Sequence, residues 1–123
     1  MHSTVQPTII TAHLERMLEF YSGLLGANET QRVPEEGPVF FVGLRIGNSE
    51  LGMVSDSSAA GAPAGKVLLS IEVHDVDALL PRVQGLGGEI TGGPNDMPWG
   101  QRVAHIKDPD GNALNLTTTT RHG

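Results

Sequence analysis

The chain predicts an α+β fold built from two copies of one supersecondary unit. Three observations carry this expectation: a strand, helix, strand, strand order occurs twice, a run of small residues separates the two occurrences, and the apolar positions of the halves align. The separating run is Ser57-Ser58-Ala59-Ala60-Gly61-Ala62-Pro63-Ala64-Gly65, whose composition is that of a linker. When Ile9 is laid over Ile71, Leu14 meets Val76, Met17 meets Leu79, Leu18 meets Leu80, Tyr21 meets Val83, Leu24 meets Leu86 and Gly26 meets Gly88. A βαββ(β) unit cannot cover both faces of its own sheet, so a duplicated unit is expected to pair with its copy.

In the first half, a strand pattern near Val5–Thr11 leads into a helix near Leu14–Leu25, with Leu14, Met17, Leu18, Tyr21 and Leu24 at helical spacing. Strands over Val39–Ile46 and Glu50–Ser55 follow, joined at Gly47-Asn48, a hairpin signal. The second half repeats the order with a strand at Val67–Val73, a helix at Val76–Leu86, and strands near Arg102–Lys107 and Ala113–Thr118. Asp75 is a good N-cap for the second helix, because its carboxylate can accept from the free amides of the first turn. The aligned residue in the first half, His13, caps less well and is either functional or a solvated helix start. Pro81 falls inside the second helix, where it removes a donor and bends the axis.

At 123 residues and 38% hydrophobic, the chain is expected to form a single domain over residues 1–123, with module one at about 1–60 and module two at about 65–123. Its formal net charge of −6 repels phosphate backbones, so no nucleic-acid partner is expected. No stretch reaches the roughly 20 apolar residues of a membrane span, and Met1-His2-Ser3-Thr4 does not begin a signal peptide. A cytoplasmic location with no membrane partner is therefore expected. The absence of cysteine excludes disulfides, thiolate metal sites and a cysteine nucleophile.

The run Phe20-Tyr21-Ser22-Gly23-Leu24-Leu25-Gly26-Ala27 resembles the F-Y-x-x-x-L-G helix ending of the vicinal oxygen chelate superfamily, which includes glyoxalases, bleomycin resistance proteins and extradiol dioxygenases. More specific is the tail from Trp99 to Leu116. It is similar to the W-G-x-R…D-P-x-G-N-x-x-x-L run of the bleomycin-resistance and glyoxalase-like branch. Asp108-Pro109-Asp110-Gly111 has its own turn chemistry, with Pro fixing φ, Asp capping and Gly accepting positive φ. The resemblance covers nearly the whole chain and implies paired βαβββ modules forming an open U-shaped mixed sheet around a cavity, helices outside, commonly in a homodimer.

Metal-dependent members place one ligand on the first strand and one on the last strand of each half, which carries over here to Gln6, Gly52, Leu68 and Asn115. Gly52 and Leu68 have no donor, and Asn115 offers a neutral amide where the family uses a carboxylate. A Lewis-acid site needs about three protein ligands, so no metal site and no cofactor are expected. His2, His13, His74, His105 and His122 do not fill the gap, since only His105 falls within a strand pattern. A register shift of one residue would move Glu50 or Glu72 relative to these positions.

Strand alternation then assigns the faces. If Gln6 and Asn115 face the cavity, so do Thr8, Val54, Ser70, Glu72 and Thr117, while Ile9, Leu51, Met53, Ile71, Leu114 and Leu116 lie under the helices. In the middle strands Val42, Leu44, Ala104 and Ile106 are core positions, leaving Phe41, Arg45, Val103 and His105 toward the cavity. The candidate ligand-binding set is Trp99, Phe41, Arg45, Gln6, Glu72, His105 and Asn115, a mixture of apolar surface and polar groups such as small-molecule pockets use. Trp99, in the Gly/Pro-rich loop that starts at Gly92, either stacks on a planar ligand or packs its loop onto the sheet. His105 and Glu72 either form an acid–base pair or are structural. Glu35-Glu36 either attracts a cation or is solvated surface.

Two functions follow as expectations. The first is a metal-independent protein that binds a small molecule, sequestering an antibiotic or a related planar or cationic natural product. The alternative is a lyase, isomerase or dioxygenase-type enzyme of the same superfamily with an altered site.

Overall fold

The computed structural model describes residues 5–63 and 65–120. His2 and His122 lie outside the described residues. The chain divides into two compact units, residues 1–62 and 63–123.

In the first unit the elements are β1 (Thr8–Thr11), α1 (Leu14–Leu25), β2 (Asn28–Val33), β3 (Phe41–Ile46) and β4 (Ser49–Ser55). The sheet runs β1-β4-β3-β2, with β1 parallel to β4 and the other pairs antiparallel. Leu14, Met17, Leu18, Tyr21 and Leu24 form the buried stripe of α1, and Phe20 is buried beside Tyr21 in an edge-on ring contact. Val42, Leu44, Leu51 and Met53 are all buried on one face of the sheet, and α1 packs against β4. Gly26 ends the helix in the left-handed conformation (φ 67°), its N–H donating to the Ser22 carbonyl. His13 makes no side-chain cap, and its backbone N–H donates instead to Thr11 Oγ1 at 2.9 Å.

The second unit repeats this order with β5 (Leu69–Glu72), α2 (Val76–Val83), β6 (Glu89–Met97), β7 (Gln101–Lys107) and β8 (Ala113–Thr119), in the sheet order β5-β8-β7-β6. Asp75 caps α2 as expected, accepting from the Ala78 amide. The α-helix stops at Val83, short of the expected Leu86, and a 3-10 turn over Gln84–Leu86 closes at Gly87 (φ 95°). Both units therefore have the βαβββ pattern.

Each unit contains one strand more than the periodicity indicates. The segment Asn28–Val33 is almost wholly polar and exposed, so nothing in it alternates. The segment from Gly92 to Met97, expected as loop, belongs to β6. Both are sheet edges, where one side needs no partner and Pro94 costs no ladder bond that a central strand would require. The first strands begin later than expected, at Thr8 and Leu69.

Arg102 joins three elements of the second unit. Its Nε and Nη2 reach the two carboxylate oxygens of Asp77 on α2 at 2.7 and 3.1 Å, and Nη1 reaches Asp96 on β6 at 3.0 Å. Hydrogen bonding to Arg102 holds the Asp77 carboxyl below its ordinary value of 3.8. A carboxyl lowered in this way stabilises the fold above the unfolded-state value and ceases to do so as pH falls through the folded-state one. Asp77→Asn is therefore expected to lower the urea midpoint at pH 7 and to lower it less at pH 2. An equal loss at both values would show that the ion pair is not what the substitution removes.

No helix among the described residues is long and apolar enough to cross a membrane.

Candidate functional site

The strand registers put Phe41 and Arg45 on the face of the first sheet opposite the buried Val42 and Leu44, and Glu72, His105 and Asn115 on one face of the second, while Gln6 precedes β1 and Trp99 lies in a turn. In the first unit Thr8 pairs with Gly52 and Gly52 with Gly43, while Phe41 lies across from Val54 and Arg45 from Glu50. Three side chains converge on the space above Gly52. A Cβ built there would lie 3.0 Å from Phe41 Cε1, 3.0 Å from Thr8 Oγ1 and 3.3 Å from Gln6 Nε2. Phe41 Cε2, on the other side of the ring, is 3.7 Å from a Cβ built at Gly43. The far edge of the ring thus spans both glycines and bridges β3 and β4, and the side chain stays half-exposed. Arg45, two rungs away, is paired with Glu50 through Nη2 at 3.3 Å, so it is not gathered with Phe41 and Gln6.

In the second unit Ser70, Asn115 and His105 form one rung, and Glu72, Thr117 and Val103 form the next. His105 Nδ1 lies 2.6 Å from Asn115 Oδ1. An amide oxygen only accepts, so Nδ1 is the donor of this bond. Gly92, opposite His105 on β6, leaves room for the imidazole, since a Cβ there would sit 3.3 Å from Cδ2. Glu72 accepts from Thr117 Oγ1 at 3.0 Å, from the Thr119 amide at 3.0 Å and from Thr119 Oγ1 at 3.2 Å. These three bonds fix a carboxylate that has no cationic partner among the described residues.

The pairing of His105 with Glu72 is not made. The two residues are two strands and one rung apart, about 12 Å between Cα atoms for ordinary sheet spacing, and each has its own partners. Trp99 is 64% exposed in the turn between β6 and β7, and its indole N–H donates to Gln101 Oε1 at 2.8 Å. The indole is therefore not spent on packing the loop down. Glu35 and Glu36 are exposed between β2 and β3.

Sequence reasoning missed Thr117, Thr119 and Gln101 as partners of the candidate residues, and Gly43 and Gly52 as a surface that admits a ring. Only the register between strands brings these together. The repeated threonines at 117–120 were the one visible signal.

The four positions carried over from the metal-dependent relatives do not fit a metal. The space above Gly52 is taken by Phe41, Thr8 and Gln6, and Asn115 has its oxygen turned to His105. Leu68 precedes β5 and is 52% exposed, while Ser70 occupies the place opposite Asn115. No group of three or more His, Cys, Asp or Glu is assembled among the described residues in a way that could hold an ion.

Comparison with known structures finds the same fold in TioX from Micromonospora sp. ML1, at 21% identity over 98% of this chain and 99% of that one, with a TM-score of 0.75. A glyoxalase/bleomycin resistance protein/dioxygenase family enzyme from Burkholderia phytofirmans PsJN is 24% identical over 91% of this chain and 94% of its own, with a TM-score of 0.74. The fosfomycin resistance protein FosX from Listeria monocytogenes, complexed with Mn(II) and sulfate, is 16% identical over 98% and 92%, with a TM-score of 0.77. No curated protein sequence matches the chain. The profile of the Glyoxalase/Bleomycin resistance protein/Dioxygenase superfamily matches residues 3–116, and with the repeated βαβββ order this places the chain in that superfamily.

Proposed function

We propose that this chain is a metal-independent binding protein for a small organic molecule, planar or cationic in character, and that it works as a homodimer. The observation that carries the reading is the replacement at Gly52, where a ring edge and a neutral amide occupy the space a metal ligand would need. Supporting it are the exposed Trp99 indole, a stacking surface, and the fixed Glu72 carboxylate, which suits a cationic group. The net charge of −6 favours approach of a cation. An antibiotic is one ligand class of this chemistry, and fosfomycin resistance proteins share the fold.

Trp99 is the chain's only tryptophan, so its fluorescence reports directly on contacts made at this indole. Titration with planar cationic antibiotics is expected to quench or shift the emission at micromolar ligand, equally well after EDTA treatment. By calorimetry Trp99→Ala is expected to weaken binding roughly tenfold, the order of one cation–π or stacking contact. Absence of any response across diverse planar compounds, or binding that disappears with EDTA, would overturn the reading.

A further inference from the structure

We infer that Gly52 is the specificity-determining residue of the first unit, and that with Gly43 it makes a floor which holds Phe41 to receive a flat aromatic or heteroaromatic ring. The inference rests on the small-molecule reading above and goes further, because it names the subsite and the residue that sets its ligand class. The argument is steric. Neither glycine has a positive φ, so the backbone there does not require glycine. What favours it at 52 is the close approach of three side-chain ends, Phe41 Cε1 among them, while at the directly paired Gly43 the ring is in ordinary contact.

Any side chain at 52 must displace the ring together with Thr8 and Gln6. The atoms nearest its Cβ are the ends of Phe41, Thr8 and Gln6, which can swing, so the sheet survives a substitution but the floor does not. At 43 the ring is farther, 3.7 Å from the Cβ position, and the closest atom is Thr30 Oγ1 at 3.1 Å. Substitution at 43 therefore disturbs the ring less. Thr8 Oγ1 donates to the Gln6 carbonyl at 3.4 Å, so the donor left near the ring edge is the Gln6 side-chain amide, suited to a ring carrying an acceptor. By the same geometry, a residue long enough to coordinate a metal from position 52 cannot coexist with Phe41 in this posture. Ring binding and metal binding are alternatives at one backbone position.

Quinoline is a suitable probe, followed by the shifts of the Thr8 and Gln6 side-chain signals in NMR titration of the full chain. Gly52→Ala is expected to weaken quinoline binding at least about tenfold, Phe41→Leu by a similar factor, and Gly43→Ala by a smaller one. Thermal unfolding of each variant separates lost binding from lost fold, and Phe41→Leu supplies the answer if Gly52→Ala does not fold. Quinoline that fails to bind, or that binds Gly52→Ala and Phe41→Leu as well as the parent, overturns the inference. Binding that is lost in Trp99→Ala yet kept in both of those variants overturns it too, while leaving the broader binding function standing.

Discussion

Replacing Asp108 by alanine is expected to destabilise the chain by about 3 kcal/mol, with a fall in melting temperature on the order of 10 °C. Asp108 is 3% exposed and holds the β7–β8 loop from within. Its Oδ1 accepts from the amides of Asp110 at 3.0 Å and Asn112 at 2.9 Å, and its two oxygens share the Asn112 side-chain amide. Alanine leaves those donors unsatisfied in a partly buried loop, where each unmade bond costs more than a made one contributes. Asp108→Asn keeps one acceptor oxygen and should recover part of the loss. The effect reaches the candidate site, since this loop sets the register that puts Asn115 opposite His105. Chemical unfolding of the two variants tests it. A loss in Asp108→Ala below about 1 kcal/mol would mean the loop is held by its backbone bonds, Gly111 N–H to the Asp108 carbonyl and Asp108 N–H to the Asn112 carbonyl.

That loop also shows what a sequence makes legible. The Asp-Pro-Asp-Gly run names its own turn, because each residue type there has a conformational reason, and Gly111 does take positive φ at 85°. The α1 stripe and the alternating central strands were legible for a similar reason, since burial on one face imposes a period. The faces of β3, β4, β7 and β8 follow, and with them the placement of Phe41, Arg45, His105 and Asn115. Edge strands have no such pressure, so Asn28–Val33 and Glu89–Met97 left no pattern to read. Partner choice was hidden as well. Glu72 and His105 share a face, but the neighbours of Glu72 depend on the parallel pairing of β5 with β8, a contact between residues more than 40 apart in sequence, whereas His105 meets Asn115 across the β7–β8 pair.

Gly93→Ala is the substitution that tests the least legible strand, and it is expected to cost about 3 kcal/mol. Gly93 has φ +78°, where a Cβ is strained in any L residue. The space is also closed by backbone. A Cβ would lie 2.7 Å from the Val103 carbonyl oxygen, 3.2 Å from Ala104 Cα and 3.3 Å from the Asn95 amide nitrogen, none of which can rotate away. The strain falls within the register shift between Gly92 and Asn95, so its relief is separation of the edge strand over those residues. Faster amide hydrogen exchange is then expected along β7 at Val103 and His105, with much smaller change in the first unit. Gly92→Ala provides the contrast. The atoms nearest its Cβ belong to the His105 side chain, with Cδ2 at 3.3 Å, so it should cost under about 1 kcal/mol and chiefly turn the imidazole from Asn115. If the two variants lose equal stability, the closure at 93 is not steric, and β6 is held at that point by something other than the fit of its backbone against β7.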